Sequence, residues 1–281
     1  MKRIEFTSGD RTLAGVLFAP EETANPAVVF CHGAFEFKEN WLDYAERLSE
    51  RGFSCLAFDF AGHGESGGIP STVEMDVWTE DVRSALDFLE SLGFSRFGVV
   101  GWSSGATAAI LAASEDPRIE CGVMIDSTVK CAPSSVEKVV FSLLNLIGGL
   151  KKAVTGKPLV FSLVGELEKM TVAVDEEVNR HYKKDERVIA ALSQAPFPGC
   201  LEAVWVDVLE DARKITVPFL VIHGEQDSLD LPAEAELLHE ALGGEKGLYI
   251  IEGSGHAGHL DQKRNHIFGL MAEWFSRHLL G

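Results

Sequence analysis

GWSSG, residues 101–105, decides how this chain is read, because it sets two serines side by side and asks which of them is a nucleophile. The pattern G-x-S-x-G fits in one frame, with Gly101 and Gly105 outside and Ser103 at the centre; Ser104 then falls one residue late. The pattern describes a sharp turn from strand to helix that leaves the central hydroxyl exposed. The flanks suit that turn. RFGVVG (96–101) is a short apolar run fit for a buried parallel strand, and ATAAILAA (106–113) is made largely of strong helix formers. The glycines let neighbouring chain pass close by without a Cβ clash.

On either side of this turn, strands and helices alternate. Strand-like runs cover about Arg3 to Thr7, Leu13 to Ala19, Ala27 to Cys31, Ser54 to Phe58 and Cys121 to Ile125, with helices near Trp41 to Arg51 and Met75 to Leu92. After Ser127 the rhythm breaks. From about Val129 to Trp205 the pattern is helical with no convincing strand; one helix carries Val136, Val140, Leu143, Ile147 and Leu150 as a stripe, and another runs near Val174 to Lys184. Alternation then resumes with a helix near Val208 to Lys214, PFLVIHG at 218–224, a helix around Ala233 to Leu242, GLYII at 247–251 and a C-terminal helix. The expectation is a doubly wound, mostly parallel α/β sheet with ligands at the carboxyl ends of its strands. Residues 1–128 and 206–281 form its core, and 129–205 an inserted helical cap.

A chain of 281 residues with 46% apolar and 24% charged residues can bury a substantial core. The net charge of −18 argues against nucleic acid or an anionic membrane surface as a partner. The longest greasy stretch, Val139 to Leu150, is interrupted by Asn145 and too short for the roughly 20 residues of a bilayer span. MKRIEFTSGD has no apolar run like that of a secretory signal, so a cytoplasmic location is expected. The five cysteines lack metal-type spacing and read as reduced thiols, mostly buried.

A serine needs a base, and the base an orienting acid. Behind this turn they should follow in the order acid then histidine, at the ends of later strands. Asp227 lies just beyond PFLVIHG and His256 just beyond GLYII. Asp230 and Asp126 compete for the acid, and His259, read as a solvated or locally bonded side chain, for the histidine. His256, His259 and Asp261 match no zinc spacing, so no metal is expected. The oxyanion of the reaction needs backbone N–H donors. These are Ser104, directly after the nucleophile, and Ala34, in the tight turn at Gly33.

Together HGA (32–34), DFAGHGES (59–66), GWSSG, HGEQD (223–227) and GSGH (253–256) resemble the α/β-hydrolase superfamily. Within it the chain is similar to the capped esterases, monoacylglycerol lipases and serine aminopeptidase-like hydrolases. The resemblance spans nearly the whole chain and weakens over 129–205. It implies Ser103 as nucleophile, Asp227 as acid, His256 as base, and Ala34 with Ser104 as oxyanion donors. Asp59, His63 and Ser66 are then structural, and the serine at the apex speaks against relatives that use aspartate there. The expected activity is hydrolysis of a small carboxylic ester, of short to medium acyl chain, with no metal or organic cofactor. Amide, thioester or carbon–carbon bond hydrolysis on the same residues, or a silent binding protein, are the alternatives. Leu143, Leu144 and Ile147 are expected to line the acyl pocket; the same helix could instead pack cap helices together or form a homodimer contact.

Overall fold

AVVFC (Ala27–Cys31) and SCLAF (Ser54–Phe58) have every side chain buried, which a sheet allows only if both of its faces are covered. The computed structural model describes residues 1–19 and 26–281 and supplies that cover. The sheet strands are β1 (Lys2–Ser8), β2 (Arg11–Phe18), β3 (Ala27–Cys31), β4 (Ser54–Phe58), β5 (Phe97–Ser103), β6 (Ile119–Ser127), β7 (Phe219–Gly224) and β8 (Lys246–Ile251). They lie in the order β1-β2-β4-β3-β5-β6-β7-β8. β1 and β2 pair antiparallel, as do β2 and β4, and all other pairs are parallel.

Helices α1 (Leu42–Ser49) and α8 (Arg264–Phe275) cover one face through Tyr44, Leu48, Phe268 and Met271. On the other face, α2 (Met75–Ser91), α3 (Ser104–Glu115) and α7 (Pro232–Ala241) bury Val82, Leu86, Ile110 and Leu238. Burial of such side chains, at about 1.5–3 kcal/mol each, is the main force holding the layers together. The parallel strands all end on the same edge, and the loops after β3, β5, β6, β7 and β8 therefore converge there.

Between β6 and β7 the chain leaves the sheet. It forms α4 (Ser135–Thr155), α5 (Glu176–Lys184) and α6 (Glu186–Leu192). The expectation of no strand here is corrected: Lys130–Cys131 pairs with Val206–Asp207, and Leu159–Phe161 with Ala195–Phe197. Runs of two and three residues are too short to leave an alternating pattern. The helix expected over Val208 to Lys214 is a single turn, Leu209–Ala212.

A capping box of Ser134 and Glu137 starts α4, and Gly156 ends it at φ +72°. Phe141 and Leu144 pack inward against Ala195, Phe197 and Cys200. The stripe read from the sequence instead faces outward, with Leu143 55% and Ile147 47% exposed. All five cysteines are free. No helix among the described residues is long and apolar enough to cross a membrane.

Candidate active site

Ser103 closes β5 at φ +53°, ψ −128°, a conformation an L-residue adopts only when its surroundings impose it. The glycines explain how. A Cβ on Gly105 would lie 2.2 Å from the His32 carbonyl oxygen, and one on Gly101 2.5 Å from Ala106 Cα. The turn closes only because both positions lack side chains. α3 starts at Ser104, so its N-terminal N–H groups open directly beside the Ser103 side chain.

Beyond β8, His256 presents Nδ1 to Asp227 Oδ2 at 2.9 Å, with Asp227 in the loop after β7. Asp227 Oδ1 accepts from the N–H groups of Leu229 (2.9 Å) and Asp230 (3.1 Å), and His223 Nε2 lies 3.3 Å from Oδ2. Burial opposes charge on Asp227, but the hydrogen bonds from His223 and His256 outweigh it and hold the carboxyl well below the usual range. For His256, burial disfavours the charged ring, yet the hydrogen bond and charge of Asp227, with Asp230 and Asp126 behind, overcome it and raise the pKa.

The two competing acids have other partners. Asp126, at φ +45° near the end of β6, accepts from the Gly224 N–H at 2.7 Å and the Gly258 N–H at 3.2 Å. It fastens the loop of the acid to the loop of the histidine, and burial pushes its pKa to about 7. Asp230 accepts the Thr128 hydroxyl at 2.7 Å, and Thr128 Oγ1 lies 3.4 Å from Ser103 Oγ. Asp230 Oδ2 remains 3.8 Å from His256 Nδ1, too far for a direct hydrogen bond.

His259 is not solvated: it is buried, and among the described residues neither ring nitrogen has a hydrogen-bond partner, its ring centroid lying 4.4 Å from that of Trp41 and 4.6 Å from that of Trp102. Burial lowers its pKa to about 3, so it packs as a neutral aromatic. Asp261 accepts from the N–H groups of Val174 and Asp175. Among the described residues, Asp126, His223 and Asp227 bring potential metal-ligating atoms within 4.8 Å of one another. Their carboxylate oxygens already accept the bonds described above, which a cation would have to displace.

Gly33 lies so close to the turn that a Cβ there would stand 3.1 Å from the Trp102 ring and 3.3 Å from Ser103 Cβ. The next N–H, of Ala34, donates to no group among the described residues. The following residue, Phe35, has φ +62° and donates its N–H to His63 Nε2 at 3.2 Å. His32 Nε2 accepts from the Phe60 N–H at 3.0 Å. Burial lowers both histidines to about 3, keeping them neutral acceptors that pin this loop. Asp59 accepts from Lys38 Nζ (2.6 Å), from the Lys38 N–H (2.8 Å) and from the Glu65 N–H (2.9 Å). The D-x-x-G-H-G-x-S segment is thus a scaffold under the Ala34 turn.

A cavity of about 220 Å³ contains Ala34, Ser103, Ser104 and His256 in its wall. Thr128, Met170, Tyr182, Leu192 and Leu229 complete much of its lining. Leu143, Leu144 and Ile147 do not line it, because the inward face of α4 rests on the Phe197 cluster and its outward face meets solvent. Sequence reasoning missed Thr128, Met170, Tyr182 and Leu192. Thr128 follows the strand closely enough to have been a candidate; the other three lie where periodicity gives no depth or direction. A second cavity, of about 420 Å³, shares Tyr182 and Val172 with the first and contains Glu36, whose carboxyl burial pushes to about 8.

The strand order, with a serine at a left-handed turn after β5, defines an α/β hydrolase. The pattern of the Hydrolase_4 family, described as serine aminopeptidase, S33, matches residues 22–263, and the chain belongs to that family. It is 27% identical to an uncharacterized 31.7 kDa protein of Escherichia coli, over 91% of this chain and 92% of that one. It is 28% identical to human monoglyceride lipase, over 92% of this chain and 84% of that one. The crystal structure of the α/β hydrolase GrgF from Penicillium sp. superposes with a TM-score of 0.85 at 18% identity, over 100% of this chain and 99% of that one.

Proposed function

We propose that this hydrolase cleaves carboxylic esters of short to medium acyl chain through an acyl-enzyme on Ser103. The observation that carries the reading is the pairing of His256 Nδ1 with buried Asp227, His256 itself lining a cavity whose wall also includes Ser103 at its left-handed turn. With Nδ1 committed, Nε2 of His256 takes the proton of Ser103 as Oγ attacks the ester carbonyl. The N–H groups of Ala34 and Ser104 hold the oxyanion. The intermediate collapses, and His256 returns the proton to the departing alcohol. Water then attacks the acyl carbonyl, giving its proton to the same nitrogen; collapse releases the carboxylic acid and restores Ser103.

Residues 129–205 act as a cap in this account, a role supported by Met170, Val172, Tyr182 and Leu192 reaching the cavity wall. The apolar lining favours an acyl chain over a charged substrate, each buried methylene contributing about 0.8 kcal/mol. Lipase relatives such as human monoglyceride lipase support the ester class. A second reading, cleavage of an aminoacyl amide, is favoured by Asp230, a carboxyl in the cavity wall able to meet a substrate ammonium. A panel of p-nitrophenyl esters of increasing chain length, beside an aminoacyl-anilide and an acyl-thioester, tests the proposal. Turnover confined to the anilide would replace the ester reading with the second.

A further inference from the structure

The outward face of α4 has a period that the protein's own packing does not use. Val136, Val139, Leu143, Leu146, Leu150 and Ala153 fall at the first and fourth places of three successive heptads. Val140, Ile147 and Val154 widen the seam, and Val136, Leu146 and Val154 are 74%, 62% and 84% exposed. The seam runs roughly 27 Å, at 1.5 Å per residue. Exposed apolar patches of this extent mark interaction sites. Small residues, Ser135, Ser142 and Gly149, recur every seven positions along one edge, and a Cβ on Gly149 would meet no atom of the described residues within 4 Å. A central helix glycine costs about 1 kcal/mol against alanine, with no internal packing here to require it.

From this seam we infer that α4 is the interface of a two-fold homodimer, in which it packs antiparallel against α4 of a second copy. A strict heptad seam suits a helix, whose side chains interdigitate at that period; a lipid surface has no period to match. Run antiparallel about its middle, the seam complements itself: Val136 meets Ala153, Val139 meets Leu150 and Leu143 meets Leu146 of the other copy. The seam itself carries no charge. Glu137 is held in the capping box, Lys138 lies over the Trp205 ring at 5.7 Å, and Lys151 Nζ donates to the Pro158 carbonyl at 3.0 Å. An interfacial membrane helix would turn such lysines toward headgroups. No Asp or Glu occurs from 138 to 165, so this surface is spared the repulsion that a net charge of −18 sets between copies elsewhere.

Sedimentation velocity on the full chain tests this over a concentration series reaching roughly 50 µM, because dimer population follows mass action. The wild type is expected to shift toward twice its 30.6 kDa, and Val139→Glu with Leu146→Glu to remain monomeric while keeping its helix content and its short-ester turnover per chain. Mixed Val139→Cys and Leu150→Cys chains should cross-link to each other more readily than either does alone. A wild type that stays monomeric overturns the proposal, and flotation of that monomer with phosphatidylcholine–phosphatidylglycerol vesicles would assign the seam to lipid. A dimer that survives the paired glutamates, with no cross-link, overturns it as well.

Discussion

Trp102 donates its indole N–H to the His256 carbonyl oxygen at 2.7 Å. The residue before the proposed nucleophile thus grips the backbone of the proposed base, across 154 positions of sequence. His256 is held through its main chain as well as through its bond to the Asp227 side chain. Trp102→Phe keeps most of the ring packing but deletes this donor. Turnover should fall about fivefold with KM little changed, the equivalent of about 1 kcal/mol for one hydrogen bond. An unchanged kcat would show that Asp227 positions the histidine unaided.

Asp227→Asn should lower turnover by about 10⁴, because an amide at this position favours the wrong histidine tautomer. Asp230→Asn, which changes a partner of Thr128, should cost far less. Asp126→Asn should act mainly through stability, since its carboxylate clasps Gly224 and Gly258, and should lower the melting temperature before it lowers turnover of the folded enzyme. Stopped-assay kinetics beside thermal melts separate the three.

The pH profile follows from the carboxylates around His256. Catalysis needs the neutral ring, so kcat/KM should rise as pH climbs through the His256 pKa. Asp227, Asp230 and Asp126 overcome the effect of burial and raise that pKa, so the midpoint should lie above the ordinary histidine value of about 6.5. Asp230→Asn removes one of these charges, and the midpoint should move to lower pH. A shift upward in that variant would contradict the electrostatic account.

Chain-length preference should answer to Met170 and Leu192, which line the cavity, and not to Leu143 or Ile147. Leu192→Ala should favour longer acyl chains, by up to roughly fourfold in kcat/KM per accommodated methylene at about 0.8 kcal/mol each. Profiles across butyrate, octanoate and laurate esters give the comparison.

The sheet could be read from the sequence because its central strands are buried on both faces. AVVFC stands out as an uninterrupted apolar run and SCLAF as one after its leading serine, and the structure bounds both at the same residues. The GWSSG turn could be read because its glycines answer to close contacts that any strand-to-helix turn of this kind imposes. The loops with HGEQD and GSGH were located by strand ends, which bring Asp227 and His256 together at 2.9 Å. The intervening segment resisted such reading. An apolar stripe on α4 fixes a helix but not which side meets the body, and here Phe141 and Leu144, not Leu143 and Ile147, turn inward. The role of Thr128 depends on a contact with Asp230, 102 residues away, that no local pattern records.

Ser103, and not Ser104, is the proposed nucleophile, and covalent labelling distinguishes the two. Wild-type protein treated with a fluorophosphonate should gain one adduct by intact mass, mapped by peptide sequencing to Ser103. Ser104→Ala should still label, since its proposed contribution is a main-chain N–H that alanine retains. Ser103→Ala should remain folded and take up no probe. An adduct on Ser104, or labelling that persists in Ser103→Ala, would contradict the account.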